Sequence, residues 1–433
     1  MNMRRIRKIA ITLLSLVVLL SALFAASASP AELERVRIAA GGTHSMAVSS
    51  DGVLWVWGEN TFGQLGDGVA TVYDDQNQIT RNNDMYEPMR LLDNIVEIAA
   101  GDGFSLAVNA DGELFSWGIN TIGQLGDGTT IQRATPQKIM DGVSQVAASP
   151  NTAVAIKADN SLWMWGSDVT NLEWNESLGG YNYFTTPVHV MDNVKKAAVG
   201  SGHVIILDKN GDVYGIGNTS NLGINDREPN NYAASPVLIL SGVMDIEASS
   251  QQGYALLEDG TLYGWGANGS DGSVGTGSDE WWVYAPEIVS TDVKQVFPGN
   301  LFIKADGILW TWGAIDSAFD FRATVDGEGV NTGGMLLDGY VANYGKYPVI
   351  ILNDIVMASG SGWHMMAVGA NGDLYTWGTN QFGQLGTGKA NVYDVQRVSD
   401  GEYEDIICDL IEDNNLPAPA VIKNLIAAPV IQA

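Results

Sequence analysis

One short motif recurs along most of the chain and limits the folds that the chain can adopt. In every copy an Asp or Asn lies seven residues before a Gly, and in six copies a Trp directly precedes that Gly. The closing glycines are Gly58, Gly118, Gly166, Gly217, Gly266, Gly313 and Gly378. Most copies open with Asp-Gly or Asn-Gly, a pair that favours the positive φ of a tight turn, and alternating residues follow, as a half-buried strand requires. Each copy therefore predicts a β-hairpin.

Two further strands are predicted to flank each hairpin. A segment rich in small residues, such as Ile38 to Gly41, precedes most hairpins, and a segment containing a proline follows. The prolines are Pro88, Pro136, Pro187, Pro236, Pro286, Pro348 and Pro419. Proline suits an edge strand because it has no N–H to donate to a neighbouring strand. Each unit is thus predicted to contain four short strands, and repeats of this length are typical of propellers or solenoids.

The two ends of the repeat region distinguish a propeller from a solenoid. The first unit begins near Glu34 with a small-residue strand, whereas a separate proline strand, from Pro419 to Ile426, follows the last hairpin. A ring whose final blade combines both ends explains this complementarity and leaves no exposed sheet edge, whereas a solenoid would need polar caps. The sequence therefore predicts an all-β, seven-bladed propeller of four-stranded antiparallel blades, closed by the N- and C-terminal strands.

The N-terminal residues have the layout of a secretory signal peptide. Basic residues between positions 4 and 8 precede an apolar run from Ile9 to about Ala26, which closes on small residues up to Ala28. An uncleaved membrane anchor is the alternative, but the small residues favour cleavage. We expect a signal peptide at 1–28 and one propeller domain at 29–433. The protein is then secreted or associated with the cell envelope, with no membrane insertion after cleavage.

The charge of the chain excludes several classes of partner. Asp and Glu number 50 against 22 Lys and Arg, which gives a net charge of -28. A field of this sign repels phosphate backbones and anionic lipid surfaces, so nucleic acid is not an expected partner. Cys408 is the single cysteine of the chain, which excludes an intrachain disulfide. We expect an extracellular protein partner with a basic surface, and the sequence leaves the oligomeric state open.

The repeat resembles that of the regulator-of-chromosome-condensation family. The resemblance rests on residues 38–47 and on the segment 60–66, which returns at 120–126 and 380–386. It covers nearly all of the chain after residue 28 and implies a seven-bladed propeller. Family members that are similar in repeat include a nuclear exchange factor for a small GTPase and a secreted inhibitor of β-lactamase. Because this chain is acidic and begins with an export-type segment, the resemblance implies an extracellular protein-binding disc, not the nuclear activity.

Three connections before a proline strand are longer than the others. They span 67–87, 314–347 and 387–418, in units 1, 6 and 7, which become neighbours when the ring closes. Long loops in a compact fold are usually functional or disordered. We expect these acidic insertions to form one sector of one rim that binds the partner, with solvated, tolerated insertion as the alternative. The candidate contacts are Asp74, Asp75, Asp84, Asp326, Glu328, Asp400, Glu402, Glu404 and Asp405.

The same carboxylates are oxygen ligands of the kind that Ca²⁺ uses. No segment has the spacing of a calcium loop, so a solvated acidic surface is favoured over a metal site and no cofactor is expected.

Aromatic residues in two other connections suggest a second hypothesis. Exposed rings stack on sugar faces or anchor a protein partner, so a glycan- or cell-wall-binding module is the alternative function, and packing between blades is the alternative explanation of the rings. The candidate glycan contacts are Trp174, Tyr181, Tyr183, Trp281 and Trp282.

The sequence contains no recognised catalytic motif. It lacks Gly-x-Ser-x-Gly, His-Glu-x-x-His and a phosphate-binding loop. His44, His203 and His364 occupy the same register in units 1, 4 and 7, which favours a structural position over a catalytic one. We therefore expect a non-catalytic protein.

Overall fold

The computed structural model describes residues 29–73, 79–171, 174–175, 180–228, 231–269, 272–313, 322–325, 328–331, 345–388 and 420–422. Seven four-stranded antiparallel sheets form a ring around a central channel, which confirms the predicted all-β, seven-bladed propeller. A one-turn helix, Pro30–Leu33, precedes the first strand and is capped by Ser29. Within these ranges, no helix has the length and apolar character needed to cross a membrane.

Each blade is built from four strands that follow one another along the chain, from the innermost to the outermost. Blade 1 comprises Arg37–Ala40, His44–Val48, Leu54–Gly58 and Met85–Leu92. Blade 2 comprises Ile95–Ala100, Phe104–Asn109, Leu114–Gly118 and Arg133–Met140. Blade 3 comprises Val143–Ala148, Thr152–Lys157, Leu162–Ser167 and Tyr183–Met191. Blade 4 comprises Val194–Gly200, His203–Asp208, Val213–Asn218 and Tyr232–Leu240. Blade 5 comprises Val243–Ser249, Gln252–Leu257, Leu262–Ala267 and Trp282–Ser290. Blade 6 comprises Val293–Phe297, Leu301–Lys304, Leu309–Gly313 and Gly345–Leu352. Blade 7 comprises Ile355–Gly360, His364–Gly369, Leu374–Gly378 and Ala420–Ile422.

Three short hairpins and a 3₁₀ turn lie in the connections between third and fourth strands. The hairpins are Val72–Tyr73 with Ile79–Arg81, Trp174–Asn175 with Gly180–Tyr181, and Arg322–Val325 with Glu328–Asn331. The 3₁₀ turn is Thr219–Asn221.

Because neighbouring strands are antiparallel, the connections of every blade separate onto two faces of the ring. Turns after the first and third strands, such as 41–43 and the segment that begins at residue 59, leave on one face, which we call the loop face. Turns after the second and fourth strands, such as 49–53 and 93–94, leave on the other, which we call the hairpin face. Gly52 has φ +84° in its hairpin, and the third copy of the motif places Asn160 there at φ +67°, a conformation that Asn tolerates better than most residues.

The core consists of the interfaces between blades. Trp57 is fully buried among Met366 and Val368 of blade 7, and the equivalent Trp117 is buried against blade 1. In blade 4 this position is Ile216, which packs with Val169 and other apolar residues of blade 3. The interfaces between blades are therefore sealed by large apolar side chains at one fixed register.

A hydrogen bond from the motif tryptophan also joins neighbouring blades. The indole Nε1 of Trp117 donates to the carbonyl oxygen of Gln64 in blade 1 at 2.8 Å. The Gln64 loop is held by its own side chains, since Asn60 Oδ1 accepts from Leu65 N and Gln64 Oε1 accepts from Phe62 N. The recurring Asn-x-x-x-Gln-Leu-Gly segment thus leaves one carbonyl available for the next blade.

The ring closes where blade 1 meets blade 7. The backbone N of Ala40 donates to Ser359 Oγ at 3.1 Å across this interface. The first and last blades meet here, so the ring closes between the two ends of the repeat region, but the N-terminal strand belongs to blade 1 and the C-terminal strand to blade 7, which corrects the expectation that the two share one blade. The reason is that Pro88 belongs to Met85–Leu92, which pairs with the third strand of blade 1, so the first unit has its own outer strand.

Candidate functional site

The loop face holds the candidate residues that the structure describes. Asp84 closes the connection between the third and fourth strands of blade 1, and Tyr181 and Trp281 lie in the corresponding connections of blades 3 and 5. The backbone of Glu328 belongs to the short strand Glu328–Asn331 of the blade 6 connection. The other predicted acidic contacts, Asp74, Asp75, Asp326, Asp400, Glu402, Glu404 and Asp405, lie outside the described residues, and their role stays a prediction.

The three blades that carry the long insertions are neighbours in the ring. Blade 7 contacts blade 6 through a 3.0 Å hydrogen bond from Gly360 N to the carbonyl of Pro298, and it contacts blade 1 through Ser359 and Ala40. The insertions therefore start from adjacent blades on the same face. In the described part of the chain, no three His, Cys, Asp or Glu side chains are grouped to hold a metal. Most of the carboxylates that could bind calcium in the insertions lie outside the described residues, so calcium binding there stays untested.

Asp84 is half-buried and fixes the blade 1 connection. Its Oδ1 accepts hydrogen bonds from Asn60 N at 2.9 Å and from Thr71 Oγ1 at 3.3 Å. Burial raises the pKa of Asp84, and the nearby charge of Glu59 raises it further, although the hydrogen bond from Asn60 opposes both. This predicted contact residue therefore has a structural role in addition to any role toward a partner.

Asp84 belongs to a group of three carboxylates on the loop face. Glu59 accepts hydrogen bonds from Thr43 and Thr61, and Asp102 lies on the turn between the first two strands of blade 2. Partial burial raises the pKa of Asp102, and Glu59 raises it further. We call Glu59, Asp84 and Asp102 the acidic group. The charge of Glu59 opposes the ionisation of Asp84 and of Asp102, which indicates a negative potential on this part of the face.

A channel with a volume of about 850 Å³ runs through the ring. Small residues of the first strands, such as Ala39, Ala99 and Ala198, line much of its wall, so the strands approach the axis closely.

Two ion-pair systems cross between the first strands inside the channel. Arg37 Nε lies 3.2 Å from Glu97 Oε2, and Lys196 Nζ lies 2.8 Å from Asp245 Oδ1 and 2.6 Å from Glu247 Oε1. Burial alone would lower the pKa of Lys196, but its two acidic partners raise it above the ordinary value. These pairs hold blade 1 to blade 2 and blade 4 to blade 5.

Sequence reasoning missed these channel charges, although a signal for them exists. Arg37, Glu97, Lys196 and Asp245 occupy the same register, each paired with the fifth residue of the second strand. A charged residue at one fixed position of an otherwise small-residue strand would have indicated them.

The predicted aromatic residues form two separate groups. Trp174 lies in a strand paired with that of Tyr181, whose side chain is 57% exposed, and half-buried Tyr183 begins the outer strand of blade 3. On blade 5, Trp281 is 69% exposed, and Trp282 stacks on Tyr284 with ring centroids 6.2 Å apart. Blade 4 lies between the two groups, so they do not form one continuous aromatic surface.

The three histidines of equal register are buried contacts between blades. His44 Nε2 lies 2.9 Å from Ser105 Oγ, and His364 Nε2 lies 2.7 Å from Ser45 Oγ. Ser45 and Ser105 each donate their hydroxyl hydrogen to a backbone carbonyl, of Gln384 and Gln64 respectively. Each serine oxygen must therefore accept from the histidine, so the imidazole Nε2 carries the hydrogen in these contacts. Burial lowers the pKa of His44 and His203 to about 4 and that of His364 to about 3.

Comparison with models of known protein families agrees with the propeller fold and with the repeat. The model of the RCC1-like domain matches residues 20–322, and the model of the regulator of chromosome condensation (RCC1) repeat matches residues 371–432. The chain belongs to the RCC1-like family.

This RCC1-like chain has relatives among larger proteins. It is 32% identical over 362 residues to the ultraviolet-B receptor UVR8 of Arabidopsis thaliana, a match that covers 81% of this chain and 66% of UVR8. It is 31% identical over 251 residues to the human E3 ubiquitin-protein ligase HERC2, which covers 54% of this chain and 5% of HERC2. The chain thus spans less than two thirds of these relatives.

Two solved structures show the same fold. Yeast RCC1 (Prp20), solved bound to Kap60, superposes with a TM-score of 0.62 at 21% identity and covers 79% of this chain and 82% of Prp20. Human WBSCR16 superposes with a TM-score of 0.62 at 20% identity and covers 78% and 91% of the two chains. At these identities the likeness shows the fold alone.

Proposed function

We propose that this protein is an exported, non-catalytic propeller that binds a basic protein partner on its loop face. The observation that carries the proposal is the acidic group, in which burial and then the charge of Glu59 raise the pKa of both Asp84 and Asp102. A face with such a potential attracts and orients a basic surface. The net charge of the whole chain, -28, is negative like the potential of the acidic group.

RCC1-like relatives support protein binding as the general mode of action. Prp20 was solved in complex with Kap60, and a further Prp20 structure was described together with its binding to Gsp1p and histones. Those partners belong to the yeast protein. What carries over to the proposal is the binding of another protein.

The first 28 residues support export. Their basic start, apolar run and small residues before position 29 are the parts of a secretory signal peptide. We propose a secreted or cell-envelope location, where the partner is an extracellular protein.

The proposal includes no catalysis and no cofactor. His44, His203 and His364 are fully or almost fully buried and bonded to neighbouring blades. The fourth histidine, His189, lies on the outer strand of blade 3 and bonds Asp192 at 2.8 Å. The side chains most often used for proton transfer thus serve contacts within the fold.

Glycan binding is the second candidate function, and the exposure of Trp281 and Tyr181 favours it. Rings that are more than half exposed offer planar apolar area to the C–H face of a sugar. Two results together would favour glycan binding over protein binding. The protein would bind to a glycan array at high salt, and it would capture no protein from extracellular fluid.

Affinity capture at low and high salt tests the leading proposal. The immobilised protein is exposed to extracellular proteins at about 50 and 500 mM salt, and captured proteins are identified. We expect a basic partner that is lost at high salt, because screening weakens attraction between exposed charges. The fourfold variant Asp400→Asn, Glu402→Gln, Glu404→Gln and Asp405→Asn should reduce the affinity several-fold and flatten its salt dependence.

A matched variant removes the same charge from the hairpin face. It carries Asp111→Asn, Glu258→Gln, Asp292→Asn and Asp306→Asn, and asparagine occupies comparable turn positions at Asn94, Asn193, Asn210 and Asn371. We expect its affinity to stay within about twofold of the original. Equal losses in both variants would contradict a loop-face interface.

A further inference from the structure

The loop-face mouth of the channel combines a cavity, an unpaired carboxylate and an exposed indole. Asp102 and Trp363 both line the cavity, on the first turns of blades 2 and 7, on either side of the Gly41–Thr43 turn of blade 1. We propose that this mouth binds one basic side chain, a lysine ammonium or an arginine guanidinium, from a loop of the protein partner. The inference rests on the proposed function and names the group that the partner inserts.

Asp102 is the anionic part of this site. Asp102 is exposed, and among the described residues its carboxylate has neither a hydrogen bond nor an ion pair. Desolvation and the nearby charge of Glu59 raise its pKa. A carboxylate without a partner and next to a second negative charge attracts an incoming cation.

Trp363 supplies the aromatic part. Its side chain is 48% exposed, although it borders the channel. The carbonyl oxygen of Trp363 accepts hydrogen bonds from Thr379 N at 2.9 Å and Thr379 Oγ1 at 3.0 Å, which fixes the turn that carries the ring. Indole is the best aromatic partner for a cation, and a partly desolvated pair is stronger than an exposed one.

The turn of blade 1 lies directly against Asp102. A Cβ on Gly42 would lie 2.1 Å from Asp102 Oδ1, so only glycine allows the carboxylate to occupy its position. The small residues that line the wall nearby, such as Ala40 and Gly101, keep the mouth open.

The channel's own cations do not occupy the site. Arg37 and Lys196 lie toward the hairpin face, because each is near the start of a first strand that runs toward the loop face. Arg37 is bound to Glu97, and Lys196 to Asp245 and Glu247. These cations therefore do not neutralise the carboxylate of Asp102, which is available to a cation from another molecule.

A titration with a minimal probe tests the site without the partner. The protein is labelled with 5-fluorotryptophan, the Trp363 resonance is assigned with Trp363→Phe, and acetyl-Gly-Arg-Gly-amide is added in a ¹⁹F NMR titration. We expect the Trp363 resonance to shift and saturate at millimolar peptide. Asp102→Asn should weaken binding about fivefold or more, while the hairpin-face variant Asp111→Asn leaves it unchanged.

The neutral peptide acetyl-Gly-Gln-Gly-amide is the matched probe, and it should give no saturable shift. An equal shift with the glutamine peptide, no shift with the arginine peptide, or unchanged affinity in Asp102→Asn would each overturn the inference. If Asp102→Asn does not fold, Glu59→Gln replaces it and should weaken binding in the same direction.

The two proposals can fail separately. Salt-sensitive capture of a basic protein without peptide binding would retain the loop-face function and remove the channel-mouth site. Peptide binding without capture of any protein would remove the proposed function.

Discussion

The indole Nε1 of Trp57 donates a 2.8 Å hydrogen bond to the carbonyl oxygen of Gln384 and so joins the first blade to the last. Trp117 makes the same bond between blades 1 and 2. A second closing bond runs from Gly388 N to the carbonyl of Tyr86 at 2.8 Å. Closure of the ring therefore repeats the contacts that join blades consecutive in sequence.

Replacing Trp57 should weaken this closure. Trp57→Phe leaves the buried Gln384 carbonyl without its indole donor and removes part of a fully buried side chain. We expect the free energy of unfolding to fall by about 2 to 4 kcal/mol, measured by urea denaturation. Trp117→Phe should cost a similar amount, whereas Trp281→Phe at an exposed site should cost less than about 0.5 kcal/mol. Equal stability of the Trp57 and Trp281 variants would contradict this account.

The buried histidines should make the protein less stable in mild acid. His203 has a folded pKa of about 4 because burial disfavours its charged form, against a reference value of 6.5. Between these pH values the unfolded chain binds a proton that the folded chain does not, so stability falls as the pH decreases from 6.5 toward 4 and then levels. The loss attributable to His203 is about 3 kcal/mol.

His203→Gln isolates this effect, because blade 5 already places Gln252 at the same register. The variant should lose less stability than the original protein between pH 7 and pH 4, as measured by urea denaturation at each pH. A His203 variant with an unchanged slope would show that this imidazole does not titrate on unfolding as described.

The repeat made the blades predictable because its requirements are local. A turn at Gly52 needs a positive φ, and an edge strand accepts Pro88. Residues of these types recur in each unit, so the sequence of each unit indicates its hairpin and its outer strand. The presence of Pro88 in the first unit also implied that this unit was complete. The expectation of a blade shared between the two ends did not take this complete first unit into account.

Contacts between blades could not be predicted in the same way. The pairs Arg37–Glu97 and His44–Ser105 join residues about 60 positions apart, and their geometry depends on how two neighbouring sheets pack. The register of His44 was visible in the sequence, but its serine partner was not. The insertions follow no repeat, so neither their shape nor their contacts could be derived from the motif.

Two glycines with similar φ should respond very differently to alanine. Gly118 has φ +109°, and a Cβ there would lie 2.3 Å from the carbonyl oxygen of Gly103. Gly242 has φ +78°, but a Cβ would meet nothing within 4 Å. Gly242→Ala should cost about 1 kcal/mol from backbone strain alone, and Gly118→Ala at least about 3 kcal/mol, because the clashing atom is backbone. Equal costs by urea denaturation would contradict the crowding at Gly118.

The outer wall of the ring changes character between blades 3 and 4. Two residues after the outer-strand proline, blades 1 to 3 carry Arg90, Lys138 and His189, whereas blades 4 to 6 carry Leu238, Ile288 and Ile350. The three aliphatic side chains are 45% to 53% exposed. Arg90, by contrast, pairs with Asp93 at 2.6 Å. Charged residues on edge strands hinder contact between molecules, so the aliphatic half of the wall should be the more adhesive half.

Lysine at these three positions should therefore reduce self-association. We expect Leu238→Lys, Ile288→Lys and Ile350→Lys together to raise the ammonium sulfate concentration at which the protein precipitates, with little change in the free energy of unfolding. Thr135→Lys, Ser235→Lys and Ala285→Lys add the same charge to exposed outer-strand positions and keep the aliphatic residues. Both triple variants bring the net charge closer to zero, which by itself lowers solubility. A gain confined to the first variant would come from removing apolar surface, whereas an equal gain in both would contradict an adhesive wall.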